Sequence, residues 1–531
     1  MPNPPSKMSG SAHSEAWLSP KHEIVLYSST AIALYGYDQG MMSLINTNRD
    51  YLRTMQIGGS SPVVGIVVSV YYLGCAVGAV LASFWADKRG RKPSIFLCLA
   101  TTAFGNLLMF ISGLAVRGSS PWSGGALACM LAGRVVMGLG VGGIDAVVPV
   151  YSSELSSDGA RGRALAQEFQ MNIFGLVMAF SINLGVTIAL GKDDQWAWRI
   201  PIIVMQIFPL VLMSIMERLP ETPRWYMSKD RQDEAKQALS AIYGEEVAKS
   251  KFEELDRIQR EEDDTKIFYT DMLLPGGTQF HPTMVTVMGQ VNQALTGYGA
   301  VSVYGPQIFE LLGFSVRKAE YLTLGNYISY FFMMTFAWLS IDVLGRRKLM
   351  IWGAVGLAIC FAILTLFGGL AQDVPGVPDL AVGIPGSMVL FTATAIFGIC
   401  WLATVWLIPT EIYPSTARAQ GSAVSVIIWG LANFAVTLLT PIGFNNLTYW
   451  LFLVFAATNS FAGWWTWKYS PESGGRSFEE NQEFFTSAAE DKSWSVRKVD
   501  GGKYKSMPKV PKAHGEEDGE TSALLRSRSR N

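Results

Sequence analysis

The sequence predicts an all-α membrane protein with twelve transmembrane helices arranged as two pseudo-repeated six-helix bundles. Three observations lead there. Of 531 residues, 50% are hydrophobic and only 16% are charged, against about 25% charged in soluble globular proteins. Apolar runs of spanning length, roughly 20 residues, recur along the chain. The charged motifs between them also occur twice, in the same order and at a nearly constant offset. Asp87-Lys88-Arg89-Gly90-Arg91-Lys92 returns as Asp342-Val343-Leu344-Gly345-Arg346-Arg347, Glu154 with Arg161 as Glu411 with Arg418, and Pro220-Glu221-Thr222 as Pro471-Glu472-Ser473. Repeated membrane halves with a site between them at mid-membrane are a common plan for secondary transporters.

Taken in order, residues 1–22 are polar and form an N-terminal tail; no cleavable signal peptide is expected. The first bundle, 23–217, holds apolar segments near 24–45, 62–85, 94–116, 125–148, 164–190 and 198–217. The fifth is the weakest, because it carries Gln167, Glu168, Gln170 and Asn172. Residues 218–280 form a charged linker in which Glu234–Lys251 and Phe252–Asp264 follow amphipathic helical patterns. The second bundle, 281–470, holds segments near 282–306, 320–341, 348–370, 385–409, 419–440 and 447–468. Residues 471–531 form a polar tail expected to be largely disordered.

Lys and Arg crowd the even connections: Lys88, Arg89, Arg91 and Lys92; Arg161 and Arg163; Arg346, Arg347 and Lys348; Arg418. The positive-inside rule puts that side, and both termini, in the cytoplasm. A net charge of −1 gives no basic surface for nucleic acid. The five cysteines (Cys75, Cys98, Cys129, Cys360, Cys400) lie in apolar runs without metal-ligand spacing, so they read as buried small hydrophobes. No phosphate-binding Gly-rich loop, metal constellation or nucleophile constellation appears. The expectation is neither a pump driven by ATP nor an enzyme, with no cofactor. Asn446-Leu447-Thr448 is a glycosylation sequon in a very short loop. Glu520-Thr521-Ser522-Ala523-Leu524-Leu525 has the pattern of an acidic dileucine sorting signal.

These motifs together resemble the sugar porter family of the major facilitator superfamily. Asp87-x-x-Gly90-Arg91-Lys92 is similar to the superfamily loop motif. Pro220-Glu221-Thr222-Pro223-Arg224-Trp225, Pro149-Val150-Tyr151-Ser152-Ser153-Glu154 and Pro471-Glu472-Ser473-Gly474-Gly475-Arg476-Ser477 are similar to sugar porter motifs. Gly36-Tyr37-Asp38-Gln39-Gly40 has the form common in fungal proton–sugar symporters. The resemblance covers roughly residues 24–480 and implies the major facilitator fold, a sugar or polyol and a proton as partners, and function as a monomer in the bilayer. It points to the plasma membrane first, with endosomal or vacuolar membranes as alternatives.

Residue by residue, it implies three sets of roles. Asp38 sits mid-helix, where a charge costs at least about 2.5–3.5 kcal/mol on insertion scales; Asp38 and Arg134 match the proton-binding acid and its partner. A charged gate is implied at Asp87, Arg91, Glu154, Arg161, Glu221, Arg224, Asp342, Arg346, Arg347, Glu411 and Arg418, with salt bridges expected between the halves. Substrate contacts are expected from Glu168, Gln170, Gln293, Thr296, Tyr298, Tyr304, Trp406, Asn433 and Asp145. The match is partial. The seventh-helix amide positions hold Ala294 and Gly299, the fifth-helix Gln is Phe169, the eighth-helix Asn is Tyr330, and Leu402-Ala403 replace a Gly-Pro pair. About half of the hexose frame is changed, and restoring amides at 294 and 299 is expected to improve glucose binding. The acids Asp38, Asp145 and Glu168 set against one Arg favour a neutral sugar or polyol. A sugar acid, or a transport-incompetent sensor on the same fold, is the alternative.

Overall fold

The computed structural model describes residues 20–58, 62–114, 123–155, 161–263, 269–275, 277–374, 379–414 and 417–474, with 481, 484–486, 488 and 495–496 of the tail. The dileucine pattern lies outside the described residues. The long helices are α1 (Pro20–Ile45), α2 (Pro62–Arg89), α3 (Arg91–Ile111), α4 (Ser123–Leu155), α5 (Arg161–Leu190) and α6 (Gln195–Met205 continuing through Ile207–Met216). After the linker come α7 (Phe280–Leu295, with Tyr298–Val303 and Gly305–Leu311), α8 (Val316–Leu344), α9 (Arg346–Asp373), α10 (Asp379–Phe397 through Ala403–Ile412), α11 (Arg418–Leu447) and α12 (Trp450–Tyr469). Among the described residues, nine helices are long and apolar enough to cross a membrane. The polar residues of α1, the breaks in α7 and the tryptophans of α12 keep those three outside that criterion.

The linker carries short helices at Pro223–Met227, Gln232–Tyr243, Glu245–Asp263 and Tyr269–Leu273. Thr222 caps the first, accepting a hydrogen bond from Trp225 N, with Pro223 at the first helical position, where its missing N–H costs nothing.

Two apolar cores form, each centred in one half and reaching across the interface, through Phe169 and Phe180 in one and Tyr304 and Trp429 in the other. One is built around Tyr27, Tyr71, Tyr151 and Trp198; the other around Phe309, Tyr327, Phe361 and Trp401. The halves meet along α2 against α11 and α5 against α8. The Gly36/Gly40 motif explains how α1 seats on α5. A Cβ at Gly36 would lie 1.8 Å from Asn172 O, and one at Gly40 would lie 2.3 Å from Leu176 O. Only glycine lets the two backbones approach so closely.

Two helices break where the halves face each other. Gly297, at φ +83°, separates the first two pieces of α7, a conformation glycine adopts without penalty. A π-helical turn at Gly398–Leu402 interrupts α10. Such turns release backbone carbonyls and cluster at functional sites.

Candidate functional site

A narrow cavity lies between the halves where α7 and α10 break. Its apolar wall is aromatic: Tyr35, Phe169, Tyr298, Phe397, Trp406 and Trp429. Tyr298 stacks on Phe397 at 4.1 Å. Trp406 leans on Phe169 at 5.7 Å and on Trp429 at 5.9 Å. The polar wall is Gln39, Asn172, Gln293 and Asn433.

The amides are oriented by the backbone. Gln293 Nε2 donates to Trp401 O (3.1 Å) and Leu402 O (3.2 Å), the carbonyls of the π-turn. Asn433 Nδ2 donates to Trp429 O (2.9 Å), and Asn172 Nδ2 to Ile32 O (3.3 Å). A carbonyl only accepts, so in each pair the amide nitrogen must face it. The oxygens Gln293 Oε1, Asn433 Oδ1 and Asn172 Oδ1 are left for the cavity. This pocket therefore offers three oriented amide oxygens, with the second N–H of Asn433 and of Asn172, against aromatic faces.

Of the expected substrate residues, Gln293, Tyr298, Trp406 and Asn433 line this cavity. The others do not. Glu168 turns to Ser152 Oγ (3.2 Å) inside the first half. Gln170 reaches α8, donating to Phe331 O (3.0 Å) and Thr335 Oγ1 (3.1 Å) and accepting from Trp338 Nε1 (3.0 Å). Thr296 Oγ1 donates to Gln293 O (2.6 Å) and Tyr304 Oη to Thr437 O (3.3 Å). Asp145 lines a second cavity, on the charged-motif side. Ala294 is buried and is not among the residues that line the central cavity, whereas Gly299 is. The sequence reading did not single out Gln39 or Asn172 as pocket residues, although both stand out as polar groups within apolar segments. Tyr35, Phe397, Leu402 and Trp429 carried no such signal.

Asp38 and Arg134 form a buried ion pair. Arg134 has further partners: its Nε and Nη2 donate to Val67 O and Val68 O, each at 3.2 Å, and its guanidinium lies 4.6 Å from the Tyr71 ring. Two carbonyls and an aromatic face hold the cation in place without the acid. Protonating Asp38 thus leaves Arg134 supported, which relieves part of the cost of a buried unpaired charge.

The duplicated charges build two matching clusters. Arg91 pairs with Glu154 (3.1 Å) and Asp87 (3.3 Å). Arg346 pairs with Glu411 (2.6 Å) and Asp342 (2.9 Å). These arginines take their acids from their own half rather than from across the interface, because Gly90 and Gly345 turn each arginine back beneath its own bundle. Glu221 accepts from Lys92 N and Thr222 N, both at 2.9 Å. Its counterpart Glu472, absent from the expected gate set, accepts from Arg346 N (2.8 Å) and Arg347 N (3.2 Å). Each carboxylate thus caps the start of a long helix, where anions are favoured. Burial pushes the Glu221 carboxyl above its ordinary value, opposed by those N–H donors. Trp225 Nε1 donates to Asp87 O (3.2 Å), tying the linker to the cluster. Arg347 Nη2 donates to Trp467 O (2.6 Å). Arg161 starts α5, Arg418 starts α11 and Arg224 lies in the first linker helix.

At the opposite end the halves are joined. Lys192 Nζ lies 2.6 Å from the buried Glu320 carboxylate of α8, which also pairs with Arg317 at 3.0 Å. Asn446 sits in the last turn of α11, its amide donating to Ile442 O (2.9 Å).

A family profile described as "Sugar (and other) transporter" matches residues 24–485. The chain is 30% identical over 486 residues to "Sugar transporter STL1" of Saccharomyces cerevisiae, covering 89% of this chain and 82% of that one. It is 26% identical to the "D-xylose-proton symporter" of Escherichia coli, covering 86% of this chain and 94% of that one. Its fold matches the proton:xylose symporter XylE of E. coli in complex with 6-bromo-6-deoxy-D-glucose, with TM-score 0.73 and 23% identity, over 87% of this chain and 98% of that one. Two homologous halves, a central amide-and-aromatic cavity and a family match across nearly the whole membrane region lead to one conclusion: this chain belongs to the sugar transporter family of the major facilitator superfamily, as a multi-pass membrane protein.

Proposed function

We propose that this protein is a secondary active transporter that carries a neutral sugar or polyol inward together with a proton, by alternating access. The observation that carries the substrate reading is the orientation of Gln293, Asn433 and Asn172. Each nitrogen donates to a backbone carbonyl, which turns the amide oxygens away from the backbone and toward the ligand. Hydroxyl groups donate to such oxygens, and an apolar ring face rests on Trp406 and Phe169. A carboxylate has no proton to give to these oxygens, and among the described residues no Lys, Arg or His lines the cavity to balance its charge. The pocket thus favours sugars and polyols over sugar acids.

Coupling rests on Asp38. A proton carried inward gains about 2.3 kcal/mol per 100 mV of membrane potential, enough to drive accumulation. Asp38 takes that proton from outside while Arg134 stays on Val67 O, Val68 O and Tyr71. The Arg and Lys distribution supports a cytoplasmic charged-motif side and cytoplasmic termini, and the family resemblance supports the plasma membrane as the site of action. The bundles 23–217 and 281–470 rock about the central cavity, and the paired charge clusters set the balance between states. Exposed pairs count for about 0–1 kcal/mol each, but two buried-edge networks acting together bias a two-state equilibrium. The monomer contains every part the cycle needs.

The test is uptake into proteoliposomes under an imposed pH gradient, with competition by D-glucose, D-xylose, myo-inositol, sorbitol and D-galacturonate. Neutral ligands compete and galacturonate does not. Carriage of galacturonate alone, or binding without any uptake, overturns the reading.

A further inference from the structure

The cavity on the cytoplasmic side of Trp406 and Phe169 holds a carboxylate that the proposed cycle has not used. Asp145 of α4 lines it, and among the described residues it has no hydrogen-bond or ion-pair partner. A second buried polar group faces the same space: Ser425 Oγ of α11, 1% exposed and also without a partner. Among the described residues, no Lys, Arg or His lines this cavity. The titratable groups around Asp145 are Tyr35 of α1 and Tyr71 and Cys75 of α2. From α10 and α11 the polar residues that share its cavity are Thr410, Ser422 and Ser425, beside Trp406 and Pro409. An isolated carboxylate in apolar surroundings at membrane depth is costly as an anion, and an ionisable residue there is a functional site by default.

Its position relative to Asp38 gives the function. Asp38 and Arg134 line neither cavity. Tyr71 packs on Arg134 and lies within electrostatic reach of both Asp38 and Asp145; its buried hydroxyl lies beside the Cys75 thiol. Tyr35 lines both cavities and accepts from Gln39, the residue next to Asp38. Hydroxyl-bearing side chains therefore stand between the outer acid and the inner one.

We infer that Asp145 is the proton-release site: it takes the proton that leaves Asp38 and passes it to the cytoplasmic cavity. The step balances. Asp38 gives up its proton as its carboxylate closes on Arg134, the Asp145 carboxylate becomes the acid, and loss of the proton to the cytoplasm restores it. The closed Asp38–Arg134 pair and the unpartnered Asp145 in this structure correspond to the end of that sequence. This assigns Asp145 to the proton rather than to the sugar, and it rests on the proton-coupled reading above.

The test uses the full chain in proteoliposomes with an entrapped pH dye, and the panel sugar that the wild type carries. Two rates are read: exchange with sugar on both sides, which needs no net proton release, and accumulation driven by a pH gradient. Asp145→Asn is expected to retain exchange and to lose about 10²-fold or more of the proton-coupled rate, the scale of a missing proton-transfer group. Asp145→Glu, which keeps the acid, restores accumulation. If Asp145→Asn does not assemble, Asp145→Ser carries the same comparison. A wild type that moves sugar without protons overturns both readings. A coupled wild type with an equally coupled Asp145→Asn overturns this one alone. Loss of exchange together with accumulation makes Asp145 a sugar contact and also overturns it.

Discussion

Gly299→Asn is the most direct perturbation of the pocket. A Cβ at Gly299 meets one atom, Asn433 Oδ1 at 3.3 Å, so the neighbour has to yield only a few tenths of an ångström. The position has no positive φ, and Asn is a better helix residue than Gly. The new amide brings N–H donors into a cavity whose three fixed amides present oxygens. One added neutral hydrogen bond is worth about 0.5–1.5 kcal/mol, or roughly two- to twelve-fold in affinity at about 1.4 kcal/mol per tenfold. The assay is competition of unlabelled ligands against one labelled sugar in proteoliposomes. D-glucose should compete more strongly by that factor. D-galacturonate, whose carboxylate can only accept, should gain the most relative to wild type. An unchanged ligand ranking, or a gain that galacturonate does not share, refutes the acceptor-pocket argument.

Three further outcomes follow from the geometry. Gly90→Ala puts a Cβ 2.4 Å from Glu221 Oε2 at φ +109°; backbone strain and the displaced cap should cost at least about 2 kcal/mol, read as a lower melting temperature in detergent. Glu320→Gln removes the acid that joins Lys192 to α8 and should raise labelling, from outside, of a cysteine placed at Ser302; the swap Lys192→Glu with Glu320→Lys should restore protection, and unchanged labelling in the single variant counts against an outer latch. Glu154→Gln should weaken the Arg91 cluster and increase cytoplasmic cysteine accessibility, and equal accessibility speaks against a gating role.

The sequence carried the fold well because its signals are local and repeated. Apolar runs mark the helices, and the doubled Asp-Gly-Arg, Glu and Pro-Glu motifs mark the two halves. The breaks were less visible. The seventh segment carries Gly297, Gly299 and Gly305-Pro306, but a spanning-length run reads as one helix, so the turn at Gly297 and the extension to Leu311 were not marked. The third helix stops at Ile111 because Gly113, at φ +72°, turns the chain. The site was legible only in part. Trp406, Gln293 and Asn433 could be placed by their spacing from motif residues. Whether an amide faces ligand or backbone is a tertiary fact. The π-turn carbonyls that fix Gln293 exist only once α7 packs on α10. In the same way Glu168 and Gln170 read as pocket residues because they flank Phe169, where the resemblance puts a Gln, but they bond to Ser152 and to α8.

The central claim is that Asp38 carries the proton that drives uptake. Its most direct test compares Asp38→Asn with wild type in proteoliposomes under an inward pH gradient, with sugar exchange measured in parallel. The account predicts that the variant still binds and exchanges sugar but no longer concentrates it, and that the internal pH no longer falls with uptake. A variant that concentrates sugar as the wild type does contradicts it.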